Sequence, residues 1–332
     1  MTRPSLPQIT TDELAARLDG GERVQVLDIR AADRVATARL ALGPALEFHA
    51  MPGSRIYQLP SLEPLGLDMG RPVAVICDLG NSSKPATIFL RERGVEAYSV
   101  IGGMAAWETV YVARRLAPTP TLEHVVQLDR VGKGCLSYIM ASRGEALVVD
   151  PGRHLARYDA VLAQLGLRPV GVIDTHAHAD HLSGGPRAAE AWRVPYYLHA
   201  ADGVSPFDGA AARVHHEPLA DGQAIAVGRG ALRVAHNPGH TLGSATLMSD
   251  DGVTLTGDFL FIKSLGRPDL GGQADAWGRL LWQSLERARR EWPGDVLVLP
   301  AHHASETERR ADRAVAARFD VIRATNDALR IV

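Results

Sequence analysis

The sequence predicts an α/β protein of two domains, and three observations carry that prediction. Short apolar runs with the length and branched residues of buried strands recur along the chain, as in Val24-Gln25-Val26-Leu27-Asp28 and Val170-Gly171-Val172-Ile173-Asp174. Chemically active side chains follow directly after several of these runs, where layered α/β folds hold their working groups on loops fixed by a rigid sheet. The stretch Ala117-Pro118-Thr119-Pro120-Thr121 carries alternating prolines, which end a helix and favour extended backbone. A chain of 332 residues is long enough for two cores. The expected division is a first domain over 1–116, a linker over 117–122 and a second domain over 123–332.

In the first domain, Thr11 to Leu18 reads as an amphipathic helix with a Thr/Asp start signal. Val24 to Asp28 reads as a strand, and so does Pro72 to Ile76, which ends on Cys77. A loop of small and polar residues follows, Asp78-Leu79-Gly80-Asn81-Ser82-Ser83, and then a helix through Ala86 to Arg93 stopped by Gly94. Ala105 to Leu116 reads as a closing helix before the prolines. A cysteine leading a loop between strand and helix has a chemical consequence. Backbone N–H groups and the positive helix end surround the sulfur and favour thiolate, and Lys84 adds charge nearby. Cys77 fits equally well as a small buried hydrophobe closing a strand.

The second domain opens with the strand-like His124-Val125-Val126-Gln127-Leu128. Its most informative stretch is Thr175-His176-Ala177-His178-Ala179-Asp180-His181, which sets three imidazoles and a carboxylate within six consecutive positions. In extended backbone His176 and His178 point to one side, and Asp180 and His181 follow where the chain must turn. Such a crowd of neutral imidazoles and a carboxylate suits a divalent cation. More donors follow further strand-like runs: His240 after Ala231 to Ala235, Asp258 after Val253 to Thr256, and His302 after Asp295 to Leu299. Each of these residues alone fits a structural role, but four strand ends bearing ligands point to one site. Cys135 reads as a packed strand residue, and His303 as a neighbour of the site.

Composition limits the setting. A net charge of −2 offers no electrostatic basis for nucleic-acid or membrane binding. No apolar run approaches the roughly 20 residues a bilayer requires, and Met1-Thr2-Arg3-Pro4-Ser5-Leu6 lacks the apolar segment of a secretory signal. Two cysteines make no disulfide framework and fit a reducing cytoplasm.

Three segments of the first domain, Leu27-Asp28-Ile29-Arg30, the Cys77-to-Ser83 loop and Val100-Ile101-Gly102-Gly103-Met104-Ala105-Ala106-Trp107, together resemble a rhodanese domain. The resemblance covers about Gln8 to Val112. It implies that Cys77 accepts sulfane sulfur as a persulfide and passes it to a thiol. Two departures concern the donor: Ser82 stands where many members carry arginine, and His49-Ala50-Met51-Pro52-Gly53-Ser54 has one residue more than the usual Gly-His-Ile-Pro-Gly-Ala segment. Both weaken the case for thiosulfate.

From about Leu122 to Val332 the donor pattern resembles the metallo-β-lactamase superfamily. That implies an αββα sandwich, with two mixed sheets face to face and helices outside. His176, His178 and His240 would form one metal site; Asp180, His181 and His302 would form a second, with Asp258 between them. Within the superfamily, Gly134-Cys135-Leu136-Ser137-Tyr138, Leu182-Ser183-Gly184-Gly185 and Gly266-Arg267-Pro268-Asp269 are similar to persulfide dioxygenases. Those enzymes oxidise a thiol persulfide, usually that of glutathione, to sulfite with O2. The resemblance assigns a single Fe2+ to His176, His240 and Asp258, a 2-His-1-carboxylate set with positions left for substrates. His178, Asp180, His181 and His302 would then orient ligands and relay protons. Arg267 would bind the glutathione carboxylate. The rival expectation is a hydrolase of glutathione thioesters with one or two Zn2+ ions, as in glyoxalase II. More remote is a rhodanese half that only senses persulfide or docks. The expected partners are thus a thiol persulfide, glutathione and O2, with a homodimer left open.

Overall fold

A capping box starts the first helix. Thr10 Oγ1 accepts the Glu13 N–H at 3.1 Å, and the Glu13 carboxylate accepts the Thr10 N–H at 2.9 Å. The computed structural model describes residues 6–177, 183–203 and 215–330, and this helix runs Thr11–Asp19. It buries Leu14, Ala15 and Leu18, the helical spacing read from the sequence. The strand Val24–Asp28 is buried along its whole length, and its side chains divide by a period of two. Val26 joins Leu14, Ala74, Ile76 and Trp107 on one face. Leu27 joins Val75, Ile56, Ala86 and Leu90 on the other. Each such Leu, Ile or Val contributes about 1.5–3 kcal/mol by leaving water. Covered on both faces, the strands form a parallel sheet of five in the order Gln8–Ile9, Ala97–Val100, Val73–Ile76, Val24–Asp28, Leu46–Ala50. The helix after Cys77 is Ser83–Arg91, three residues earlier than the sequence suggests.

The chain divides into two compact units: residues up to Val112 with Arg130–Lys133, and Ala113–Asp129 with Gly134–Val332. One expectation fails near the division. The helix anticipated from Ala105 to Leu116 is a short helix, Gly103–Trp107, followed by the strand Tyr111–Leu116. Aromatic and β-branched residues at Thr109-Val110-Tyr111-Val112 favour the strand. Its inward positions then alternate, and buried Arg114 meets buried Asp129 of the strand His124–Arg130 at 3.6 Å. That long-range ion pair is invisible to helical periodicity. The proline stretch beyond is tied down by Asp251, whose carboxylate accepts the Thr119 hydroxyl and the Thr121 N–H, both at 2.7 Å.

The second unit has a seven-stranded sheet ordered Glu217–Leu219, Tyr196–His199, Arg168–Ile173, Glu145–Val149, Cys135–Ser142, His124–Arg130, Tyr111–Leu116. A six-stranded sheet is ordered Ala224–Val227, Gly230–His236, Ala245–Ser249, Val253–Gly257, Leu297–Pro300, Ala317–Arg318. Both are mixed: parallel pairs in the first adjoin an antiparallel one, and the second carries one parallel pair among antiparallel ones. Their facing side chains share one core, with Met140, Leu147 and Val149 from one sheet against Val234, Leu247 and Val298 from the other. Outside the first sheet, Ala188 and Ala189 of the helix Gly185–Trp192 pack on Val172, Tyr196 and Leu198. Leu281, Leu285 and Ala288 of the helix Ala274–Glu291 pack with Trp292 and Phe319. The layers are helix, sheet, sheet, helix. Among the described residues no helix is long and apolar enough to cross a membrane.

Candidate active site

Three of the expected donors converge beyond the ends of strands. The strand Arg168–Ile173 stops before His176, so this histidine sits on a loop rather than in extended register. His240 lies past the strand Gly230–His236, and Asp258 directly follows Val253–Gly257. His176, His240 and Asp258 are all buried, and one ligand atom from each falls within 4.8 Å of the others. Asp258 Oδ2 is 3.7 Å from His176 Nε2 and 3.5 Å from His240 Nε2. The imidazoles stand edge to face, with centroids 4.9 Å apart. His302, past the strand Leu297–Pro300, joins them through Nδ1, 2.6 Å from Asp258 Oδ1. His178, Asp180 and His181 lie outside the described residues.

The far side of each ring sets its tautomer. Thr175 donates its hydroxyl to Asp150 at 2.9 Å and stands 2.9 Å from His176 Nδ1, so the proton sits on Nδ1 and Nε2 keeps its lone pair. His240 Nδ1 donates to the Arg267 carbonyl at 3.0 Å, with the same effect on its Nε2. That contact needs a glycine beside it. A Cβ on Gly266 would fall 1.9 Å from the Asp258 carbonyl oxygen and 2.8 Å from His240 Nδ1. Burial opposes ionisation of Asp258. His176, the hydrogen bond from His302 and the nearby His240 outweigh it and hold the carboxyl well below the usual carboxylate range. Two imidazoles aimed by Nδ1 partners, with an ionised carboxylate, are a donor set that a divalent transition metal fits.

A cavity of about 300 Å³ opens beside these groups, lined by Phe261, Leu265, Leu270 and Arg267 as well as His240 and His302. The Phe261 ring meets the His302 ring edge to face at 6.1 Å. Arg267 is exposed at the mouth, and its guanidinium forks onto Asp269 at 3.0 and 2.7 Å. Both groups of this pair are exposed to solvent, which screens it, so a ligand carboxylate can displace it.

In the first unit, Cys77 is buried at the end of the strand Val73–Ile76. Its Sγ accepts the Ser83 N–H at 3.3 Å, the first residue of the helix Ser83–Arg91, and lies 3.5 Å from Ser83 Oγ. The sulfur thus faces the positive end of a helix dipole. Buried Arg30, anchored on Asp28 at 2.7 Å, adds positive charge within electrostatic reach. Strand, cysteine loop and helix are arranged as the sequence suggests.

Residues 130–322, more than half of the chain, match the metallo-beta-lactamase superfamily. The chain belongs to that superfamily. Residues 10–109 match the rhodanese-like domain, so the chain is a rhodanese-like domain followed by a metallo-beta-lactamase domain. An uncharacterized protein of Mycobacterium leprae is 33% identical over 195 residues, 52% of this chain and 88% of that protein. The human mitochondrial persulfide dioxygenase ETHE1 is 34% identical over 171 residues, 50% of this chain. The chain spans 63% of that enzyme's length. Among solved structures, a metallo-beta-lactamase from Staphylococcus aureus aligns with a TM-score of 0.52 and 26% identity, covering 59% of this chain and 60% of that one. ETHE1 from Myxococcus xanthus aligns at 0.51 and 23%, covering 61% and 82%, and shares the fold.

Two residues that shape this metallo-beta-lactamase site carry no mark in the donor pattern. Asp150 follows the strand Glu145–Val149 with φ of 52°, a left-handed conformation that aspartate tolerates. From there it holds both the Thr175 N–H, at 2.7 Å, and the Thr175 hydroxyl. Its position at a strand end is the same signal that exposes Asp258. Thr175 has no such signal; only its neighbour in sequence suggests it.

Proposed function

We propose that the metallo-beta-lactamase domain is a persulfide dioxygenase with one Fe2+ held by His176, His240 and Asp258, acting on glutathione persulfide in the cytoplasm. The observation that carries this reading is the buried convergence of two imidazole Nε2 atoms with one carboxylate. The 34% identity to human persulfide dioxygenase supports it. The balanced reaction converts RSSH, O2 and H2O into RSH, sulfite and two protons, the outer sulfur losing the electrons that O2 takes up. Bound iron would supply the redox chemistry that brings O2 and persulfide sulfur together. The chain's own groups do the rest. Phe261, Leu265 and Leu270 give the cavity an apolar wall. His302 holds a proton against Asp258 Oδ1 and keeps that carboxylate turned toward the histidines. Asp180 takes the proton-relay role that the resemblance assigns it. Arg267 exchanges Asp269 for a glutathione carboxylate.

The rhodanese-like domain completes the proposal as a sulfurtransferase, with Cys77 carrying sulfane sulfur to a thiol. Neither cysteine takes part in a disulfide, which is compatible with a reducing compartment. The deciding experiment is O2 uptake by the full chain with glutathione persulfide, alongside metal analysis. One iron per chain, O2 consumption and sulfite release are expected. Two zincs per chain, hydrolysis of S-lactoylglutathione and no O2 consumption would overturn the reading in favour of a hydrolase. Arg267→Ala should raise KM roughly fivefold, as the loss of one solvent-screened charged contact implies, and leave kcat nearly unchanged. Such a split marks a group that binds substrate and transition state alike. An unchanged KM would remove Arg267 from the substrate site.

A further inference from the structure

One carboxylate touches the loops of both histidine donors. Asp202 closes the short turn Ala200–Asp202, after the strand Tyr196–His199 of the seven-stranded sheet. Its Oδ2 accepts the Ala177 N–H at 2.8 Å and the Thr241 hydroxyl at 2.6 Å, and its Oδ1 accepts the Gly243 N–H at 2.7 Å. Ala177 follows His176 directly, and Thr241 follows His240. The first loop leaves the seven-stranded sheet, and the second joins two strands of the six-stranded sheet. A Cβ on Gly243 would fall 2.5 Å from Asp202 Cγ, so glycine is the residue that admits the carboxylate there.

We propose that Asp202 is a positioning residue that sets the spacing and aim of His176 and His240. The inference rests on reading His176, His240 and Asp258 as a metal centre, whichever reaction that centre serves. Asp150, through Thr175, orients the His176 ring from behind, and the Arg267 carbonyl does so for His240. Neither contact joins the two loops. Asp202 does, beside the backbone bond from the Ala245 N–H to the Thr175 carbonyl at 2.8 Å, with hydrogen bonds that its charge strengthens roughly twofold over neutral ones. An asparagine at 202 keeps the shape but turns an NH2 group toward N–H or O–H donors on one side. With the NH2 in place of Oδ2 the Ala177 contact is lost, and in place of Oδ1 the Gly243 contact is lost; either way the bonds that remain lose the assistance of the charge.

The test uses the full chain, Co2+ as probe, a competing chromogenic chelator for affinity, and the visible absorption spectrum for site geometry. Wild type should bind Co2+; failure to bind overturns the metal-centre reading itself, and this inference with it. Asp202→Asn should weaken Co2+ binding roughly 10–100-fold, the usual effect of losing a group that orients a ligand, and shift the spectrum. The melting temperature of its metal-free form should stay near that of wild type. Thr241→Val should weaken binding in the same direction, and Thr241→Ser should restore it. The Asp202→Asn/Thr241→Val double variant should lose less than the product of the single losses, because both changes break one contact. Wild-type affinity and spectrum in Asp202→Asn, or losses in both single variants that merely follow a fall in metal-free stability, would overturn the proposal.

Discussion

Asp258→Ala is expected to lower metal affinity by more than about a hundredfold and to abolish turnover, while the second unit stays folded. The physical argument starts from the position of the carboxylate. One oxygen faces both imidazole Nε2 atoms at 3.5 and 3.7 Å, and the other holds His302 at 2.6 Å. Truncation removes one of three converging donors and the only negative charge among them. A group that merely orients a ligand costs about 10–100-fold when lost, so losing a ligand costs more. The fold tolerates the change. Asp258 stands just past the end of its strand, and the hydrogen bond that His302 Nδ1 loses costs about 1–3 kcal/mol. Metal content by atomic emission and melting by circular dichroism check both halves of the expectation. Wild-type metal content with normal turnover would remove Asp258 from the centre.

Cys77→Ser is expected to bring sulfur transfer down to the rate seen without protein, and to leave persulfide oxidation at the wild-type level. The thiol sits against the N–H of the first residue of a helix, with Arg30 held near by Asp28. Serine fits the same space and keeps the contact to Ser83, so folding is preserved. Its hydroxyl cannot carry sulfane sulfur as a persulfide does, since the thiolate is the nucleophile. Mass spectrometry should show one added sulfur on Cys77 in the wild-type chain after exposure to a persulfide donor, and none at residue 77 in the variant. Equal transfer by Cys77→Ser would show that the domain moves sulfur by another route or only binds it. Loss of persulfide oxidation in this variant would show that the metal centre depends on Cys77.

Much of this protein is written locally. Strand-length apolar runs at Val24–Asp28 and Val73–Ile76 form where the pattern places them, because a period of two sorts side chains to opposite faces whatever lies far away in sequence. His176, His240, Asp258 and His302 are legible for a related reason: a sheet end is a rigid platform, and each donor lies at or a few residues past the end of an apolar run. The helix expected from Ala105 to Leu116 stops at Trp107, and a strand follows whose Arg114 meets Asp129, a contact that helical periodicity does not register. The start of the first helix at Thr10 depends on side-chain hydrogen bonds that a general Thr/Asp signal locates only to within a residue.

The sequence alone determined the kinds of group present, their places at strand ends and the pairing of a rhodanese-like domain with a metallo-beta-lactamase domain. Tertiary structure decided which groups meet and how they are aimed. His176 and His240 come from loops on different sheets, 64 residues apart in number, and no spacing rule measures that separation in space. Their tautomers are set by Thr175 and by the carbonyl of Arg267, and their loops are joined through Asp202. Hydrogen bonds act over about 3 Å, whereas sequence patterns record only neighbours along the chain. The donors were therefore legible before folding, and the geometry that makes them a centre exists only once the two sheets have packed.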